Sequence, residues 1–384
     1  MTRYDTIVLG IGGVGSAALY HLAGRGQRVI GLDRFQPGHD RGSSHGRTRI
    51  IRRAYYEHPN YVPLANAAYG HWAELERIRG EALLHRTGLL QVGPADGEVS
   101  RGVIAADSEH HLQVEELSPE EIRTRWPGFA IPDSMIGLFE PGAGYLNVEA
   151  CVVAHVEEAQ RRGAEVRIET AKHIHWQPDG GEVAVETALG TYRANRLIIT
   201  TGAWARWLLR ELAIDLEVRR KPQYWFAPNE SASRGASYRA EAGYPAFLYE
   251  TPQGIFYGFP VIDDFGLKVA MHSGGTTVED PLHVDRGINP EDLRAVESFL
   301  AACLPEASHT LLHHSVCMYT MSPDGHFIVD RHPEFPQTFF AAGLSGHGFK
   351  FTGVLGQALS DLATDGSTDL PIGFLNCGRP GLRG

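Results

Sequence analysis

Tyr4-Asp5-Thr6-Ile7-Val8-Leu9-Gly10-Ile11-Gly12-Gly13-Val14-Gly15 is an apolar, β-branched run that passes straight into glycines spaced G-x-G-x-x-G. Apolar residues then recur at helical spacing from Ser16 to Gly24. Arg28 to Leu32 reads as a second strand, and Asp33 ends it. Strand, tight turn, helix and strand make up the unit that binds dinucleotides. Gly10 permits the sharp turn, and Gly12 lets backbone approach a pyrophosphate held at the helix N-terminus. Gly15 lets helix and strand pack closely. Asp33 is placed to accept hydrogen bonds from an adenosine ribose, which favours FAD or NAD over NADP. Val14 and Arg34 belong to the same stretch and are counted with the cofactor contacts.

Working outward, 384 residues suit two domains or one interleaved unit, and 43% hydrophobic residues supply a sizeable core. A formal net charge of −11, with no basic tract, argues against nucleic acid as a partner. An anionic substrate therefore needs a local cationic pocket. Cys151, Cys303, Cys317 and Cys377 form no CxxC pair, so neither a zinc nor a thioredoxin-like site is expected. Few cysteines, no signal-peptide pattern and no run of about eighteen apolar residues lead us to expect a cytoplasmic protein without a membrane span.

Along the chain, the polar loop from Phe35 to Arg49 is far longer than an ordinary βα connection, which suggests a functional loop. Asn60 to Arg79 reads as an amphipathic helix with Leu64, Ala67, Ala68, Trp72 and Leu75 on one face. Leu89 to Gly93 reads as a strand and Ser118-Pro119-Glu120-Glu121 as a helix start. A helix over Val148 to Arg162 and a strand over Ala164 to Glu169 look like a return to the nucleotide layer. Tyr192 to Thr201 is another strand. Gly202 and Trp204 after it are either a second backbone approach to the cofactor or an ordinary turn. Glu217 to Met271 reads as an antiparallel sheet, the substrate domain. A helix over Pro290 to Cys303, a strand over Phe339 to Leu344 and a helix over Phe351 to Ala363 complete the chain.

The fold class is thus α/β (α+β overall), a Rossmann-type FAD-binding domain interleaved with an antiparallel-sheet substrate domain. The division places FAD-binding parts at 1–85, 146–215 and 316–384, and substrate parts at 86–145 and 216–315.

Four clusters stand out beyond the fingerprint. The first, Gly42 to Arg53, carries Ser43, Thr48, Arg49, Ile50 and Arg52; its arginines suit either a solvated face or a loop laid on a ligand. The second is Tyr257-Gly258-Phe259-Pro260 with Lys268 and His272. Read alone, a strand lysine such as Lys268 is more often exposed than catalytic. The third runs from His313 to Asp324, where Cys317 alone reads as a core thiol. His313 and His314 lack companion ligands, so no metal is expected. The fourth, Gly343 to Phe351, is a glycine loop whose amides, with Lys350, could hold an anion.

Together these clusters resemble the monomeric sarcosine oxidase and N-methyltryptophan oxidase group of FAD amine oxidases. The similarity rests on Gly42-Ser43-x-His45-Gly46-x-Thr48-Arg49-Ile50-Ile51-Arg52, Tyr257-Gly258-Phe259-Pro260 with Lys268 and His272, Cys317-Met318-Tyr319-Thr320, and Gly346-His347-Gly348-Phe349-Lys350-Phe351. Ser44 and Arg47 depart from the pattern, where a histidine and an acid are common.

The resemblance implies FAD bound covalently through Cys317 and the flavin 8α-methyl, with Gly346 and Gly348 among the cofactor contacts. It implies that Arg52 and Lys350 hold the substrate carboxylate, that Lys268 is bridged by water to flavin N5, and that Arg49 lies beside the flavin. Tyr257, His272 and Tyr319 shape the substrate site. The implied activity is oxidation of a secondary N-methyl amino acid, with O2 reduced to H2O2, by a monomer. Alternatives of the same fold act on cyclic imino acids, glycine, D-amino acids or glycated amino acids, or pass electrons to another protein. An NAD dehydrogenase and a non-catalytic flavin sensor share the fingerprint.

Overall fold

Arg3–Leu9 loses its exposed residues toward its C-terminal end, as a strand flanked by parallel neighbours must. In the computed structural model, which describes residues 3–177, 181–229 and 237–382, it pairs in parallel with Val29–Asp33 on one side and Thr191–Ile199 on the other. Glu165–Ile168 extends this sheet beyond Val29–Asp33, and Thr338–Ala342 joins Thr191–Ile199, both in parallel. Early, middle and late segments thus share one sheet, which is what interleaves the chain. His173–His175, Val183–Glu186 and Ile328–Arg331 complete its eight strands.

The helix Gly13–Gly24 is buried along nearly its whole length. It packs against Val148–Arg161 and Thr352–Asp365, the two helices read from the middle and end of the chain. Its N-cap, Gly12, makes no side-chain capping bond and its first turn holds no acid. Of its first-turn amides, that of Gly13 donates to Ser44 Oγ at 3.1 Å, in the loop that follows the strand Val29–Asp33.

The second sheet also has eight strands, in the order Leu311–Met321, Glu217–Phe226, Leu267–Met271, Gly254–Phe259, Ala246–Thr251, Leu89–Pro94, Met135–Glu140, Glu115–Leu117. The strands within 217–271 are antiparallel as read, residues 230–236 lying outside the described residues. Ala246–Thr251 runs parallel to Leu89–Pro94, which makes the sheet mixed. No hairpin links those two strands, so no short turn fixes their direction. The strand Leu311–Met321 is continuous across residues 315 and 316, where the sequence division placed a boundary. Thr48–Ile51, Gly144–Asn147 and Leu84–His85 form a small third sheet.

Ser118 caps Pro119–Arg125 with a full capping box to Glu121, as the sequence indicated. The helix Glu98–His110 has no counterpart in the sequence reading. It buries only Val99, Ser100, Val103 and Ala106, too thin an apolar stripe to stand out.

A Cβ at Gly15 would lie 1.8 Å from the Gly10 carbonyl oxygen and 2.5 Å from Thr200 Oγ1, with backbone that cannot swing aside. Gly15→Ala is predicted to destabilise the protein by about 1–3 kcal/mol. Urea unfolding checks this: the midpoint should fall, and an unchanged midpoint contradicts the packing.

Candidate active site

Glu217–Phe226 and Leu311–Met321 pair along their length, so alternate residues share a face. Lys221 lies opposite Cys317, Arg219 opposite Tyr319, and Trp225 opposite Lys268 on the neighbouring strand. The loop 42–49 crosses this face. Arg49 donates from Nη2 to Ser43 O at 3.2 Å and to Cys317 Sγ at 3.1 Å, and from Nη1 to Thr48 O at 2.9 Å. Glu149 anchors the loop by accepting from the amides of Gly46 and Arg47.

A cavity of about 620 Å³ runs along the glycine turn and over this loop. Gly10, Gly12, Val14, Asp33 and Arg34 line one part of it, Gly202 and Trp204 another, and Ser43, Arg49, Tyr319, Gly346 and Gly348 a third. Asp33 also accepts from the amides of Ile11 at 2.6 Å and Phe35 at 3.0 Å, tying the turn to the strand end. Thr201 Oγ1, Trp204 Nε1, Thr320 Oγ1 and Thr352 Oγ1 belong to lining residues and are buried without hydrogen-bond partners. A buried orphan costs about 1–3 kcal/mol, so four of them around one cavity fit a long polar ligand such as FAD. Gly15 serves packing and lines neither this cavity nor the next.

A smaller cavity, about 60 Å³, meets the larger one at Arg49, Tyr319, Gly346 and Phe349. Arg52, Lys350, Tyr257, His272 and Ile50 line it, so the structure brings the expected substrate residues together. Gly346 lies at φ 81°, and a Cβ there would sit 2.3 Å from the Tyr319 ring, so this glycine makes room for the tyrosine. His272 Nδ1 is 3.3 Å from Tyr319 Oη.

Glu57, which the sequence reading missed, changes the picture of Arg52. Both carboxylate oxygens accept from Arg52 Nη2, at 2.6 and 2.7 Å, while Nη1 donates to Ala54 O. Part of the Arg52 fork is thus already engaged within the protein. Burial alone would raise the Glu57 carboxyl, but Arg52, His347 and Lys350 outweigh it and bring it down to about 2. Burial, then the Arg52 charge, lower Lys350 to about 7, with Glu57 pulling upward. Lys350 Nζ donates to His347 O at 2.8 Å and to Tyr55 Oη at 3.3 Å. A lone acid five residues after Arg52 was the available signal. Tyr56, Leu248 and His347 also line the cavity and were not singled out.

Lys268 is only 1% exposed, which corrects the exposed reading of a strand lysine taken alone. Its Nζ donates to Gly46 O at 2.5 Å, Thr48 O at 3.0 Å and Thr48 Oγ1 at 3.3 Å, using all three ammonium hydrogens on the loop. It lies behind the loop, and like Thr48 and Cys317 it lines neither cavity. Burial, then Arg49, hold its pKa well below the usual lysine value. Among the described residues no cluster of His, Cys, Asp or Glu could hold a metal.

Comparison with known proteins gives a consistent picture. The family model for FAD dependent oxidoreductases (DAO) matches residues 5–362. The chain is 40% identical over 377 residues to a monomeric sarcosine oxidase of Streptomyces avermitilis, covering 97% of each chain. It is 36% identical over 369 residues to an N-methyl-L-tryptophan oxidase of Salmonella enteritidis, covering 94% of this chain and 95% of that one. The solved structure of NikD, an unusual amino acid oxidase, superposes with a TM-score of 0.84 at 24% identity over 98% of both chains, a likeness of fold.

Because the Glu57 carboxyl is depressed in the folded state, its contribution to stability is present above about pH 4.5 and is lost as pH falls toward about 2. Glu57→Gln is predicted to lower stability at pH 7 by about 3 kcal/mol, leaving Arg52 buried and unpaired, and to remove this acid-side loss. Denaturant unfolding at pH 7 and near pH 3 checks both. Equal stability of variant and parent at pH 7 contradicts the pairing.

Proposed function

The chain belongs to the family of FAD dependent oxidoreductases, and we propose that its own residues divide oxidation of a secondary N-methyl amino acid between the two joined cavities. The products are an imine, which water hydrolyses to amino acid and formaldehyde, and H2O2 from O2. The observation that carries this reading is the junction at Arg49, Tyr319, Gly346 and Phe349, with Arg52 and Lys350 in the smaller cavity. When bound, FAD supplies the two-electron acceptor for the amine C–H bond and the route of those electrons to O2.

Arg52 and Lys350 hold the carboxylate and so fix which C–H faces the junction. Lys350, at about 7 without substrate, is stabilised as an ammonium when the carboxylate arrives. Arg49, Arg52 and Lys350 also disfavour a protonated substrate amine, which keeps the nitrogen lone pair available. Tyr257, His272 and Tyr319 wall the amine side. The size of the smaller cavity, about 60 Å³, favours sarcosine, whose Cα carries no side chain, over N-methyl-tryptophan with its indole.

Cys317, next to the cavity-lining Met318, would hold the cofactor covalently through its sulfur, to which Arg49 Nη2 donates. Lys268, anchored behind Gly46 and Thr48, would act on reduced oxygen through its charge and not by contact. We read the enzyme as a cytoplasmic monomer; no helix among the described residues is long and apolar enough to cross a membrane.

A peroxide-coupled panel of sarcosine, N-methyl-alanine, N-methyl-tryptophan, proline, pipecolate, D-amino acids and a fructosyl amino acid tests the reaction. The highest kcat/KM is predicted for sarcosine, and activity confined to cyclic, D- or glycated amino acids overturns the reading. Cys317→Ser is predicted to lose all flavin from the pellet after acid precipitation; a yellow pellet refutes the link. Lys268→Met is predicted to leave flavin reduction intact while slowing reoxidation by O2 at least about tenfold, roughly 1.4 kcal/mol of barrier. Unchanged reoxidation removes Lys268 from that role.

A further inference from the structure

Lys221 is 3% exposed and lies outside every role assigned so far. Its Nζ donates to three successive carbonyls, His272 O at 2.6 Å, Ser273 O at 2.8 Å and Gly274 O at 2.6 Å. Among the described residues no carboxylate lies within salt-bridge distance of it. Burial first and Arg219 second lower Lys221 to about 7, with Cys317 and Asp292 pulling upward. Three acceptors need three N–H donors and a neutral amine has two, so the geometry selects the ammonium over the neutral form. The charge sits 5.0 Å from the Tyr319 ring centroid, and Lys221 is the cross-strand partner of Cys317. The strand Leu267–Met271 has ended at this point, so the carbonyls of 272–274 have no ladder to direct them. A Cβ on Gly275 would touch Lys221 Cε and Cδ at 3.3 and 3.4 Å, so the turn is wrapped around the side chain.

We propose that Lys221 is a positioning residue, whose ammonium clamps the 272–274 turn and so aims the His272 imidazole at Tyr319 and the substrate cavity. The proposal rests on the reading that His272 and Tyr319 face the substrate. The groups around His272 are Lys221, Tyr319 and Tyr257 from the sheet, Arg52 and Glu57 from the loop after the arginines, and His347 before the last helix. Of these only Glu57 favours the imidazolium; burial first and Lys221 second hold His272 down, to about 3. A neutral His272 can exchange a hydrogen bond with Tyr319 Oη and leaves the amine of the substrate without a competing charge.

The test uses FAD-loaded protein with 13C-labelled histidine, parent against Lys221→Met and Lys221→Arg, with His272 assigned by the signal lost in His272→Asn. In the parent, followed into the acid range, His272 is expected to stay largely neutral down to about pH 4. In Lys221→Met its titration is expected to move up by at least about one unit, a tenfold change, and anaerobic flavin reduction by sarcosine to slow at least about tenfold. Lys221→Arg keeps the charge but spreads its donors in a plane, so it should hold the parent titration and still slow reduction. An unmoved His272 titration with parental reduction in Lys221→Met overturns the proposal. If Lys221→Met fails to fold, Lys221→Arg decides, and parental reduction in it overturns the clamp. A parent inert to every amine defeats the functional reading, while the histidine titration still decides Lys221.

Discussion

Buried positive charge with little buried negative charge to match it is the constraint on which this site depends. Arg52, Lys221, Lys268 and Lys350 are all at most 5% exposed, in a chain whose net charge is −11. Among the described residues only Arg52 of these four has a carboxylate within salt-bridge distance, that of Glu57. The lysines rest on carbonyl and hydroxyl oxygens, which satisfy their donors without cancelling their charge. Such a site is costly to the protein alone and is relieved by an anion brought in from outside. In the proposed reaction, that one imbalance would draw in a carboxylate, disfavour a protonated amine and stabilise charge on oxygen.

The fold supports this charge by placing each cation on a different element. Arg49 and Arg52 come from the strand and loop after the first βαβ unit, Lys221 and Lys268 from paired strands of the second sheet, and Lys350 from the turn into the last helix. No single element can bring them together, so the site forms only when the interleaved sheets are both complete. The distribution also separates tasks: Lys350 and Arg52 face the smaller cavity, whereas Lys268 is held behind the loop at Gly46 and Thr48.

Much of this was legible in the chain. The βαβ unit at Arg3–Asp33 carries its own signals in glycine spacing and β-branched runs, and its helix and strands lie where those signals place them. Ser118 and Glu121 marked a helix start by their own hydrogen bonds. Short strands such as Gly144–Asn147, and the thinly apolar helix Glu98–His110, have no such local signature and exist through tertiary pairing. At the site, Arg49, Arg52, Tyr257, His272, Tyr319, Gly346 and Lys350 from the long motifs line the joined cavities, whereas Thr48, Lys268 and Cys317 from the same motifs do not. Glu57, Leu248 and Lys221 were not legible, because the role of each depends on a partner far away in sequence or on a carbonyl, which carries no side-chain signal.

The most direct measurement is anaerobic stopped-flow reduction of the bound flavin by sarcosine and by dimethylamine, which keeps the N-methyl amine and lacks the carboxylate. The account predicts saturable bleaching by sarcosine and a rate at least about a hundredfold lower with dimethylamine at equal concentration, from the loss of a buried charge contact. Equal bleaching by both would contradict it, since the buried cations would then have no part in choosing the substrate.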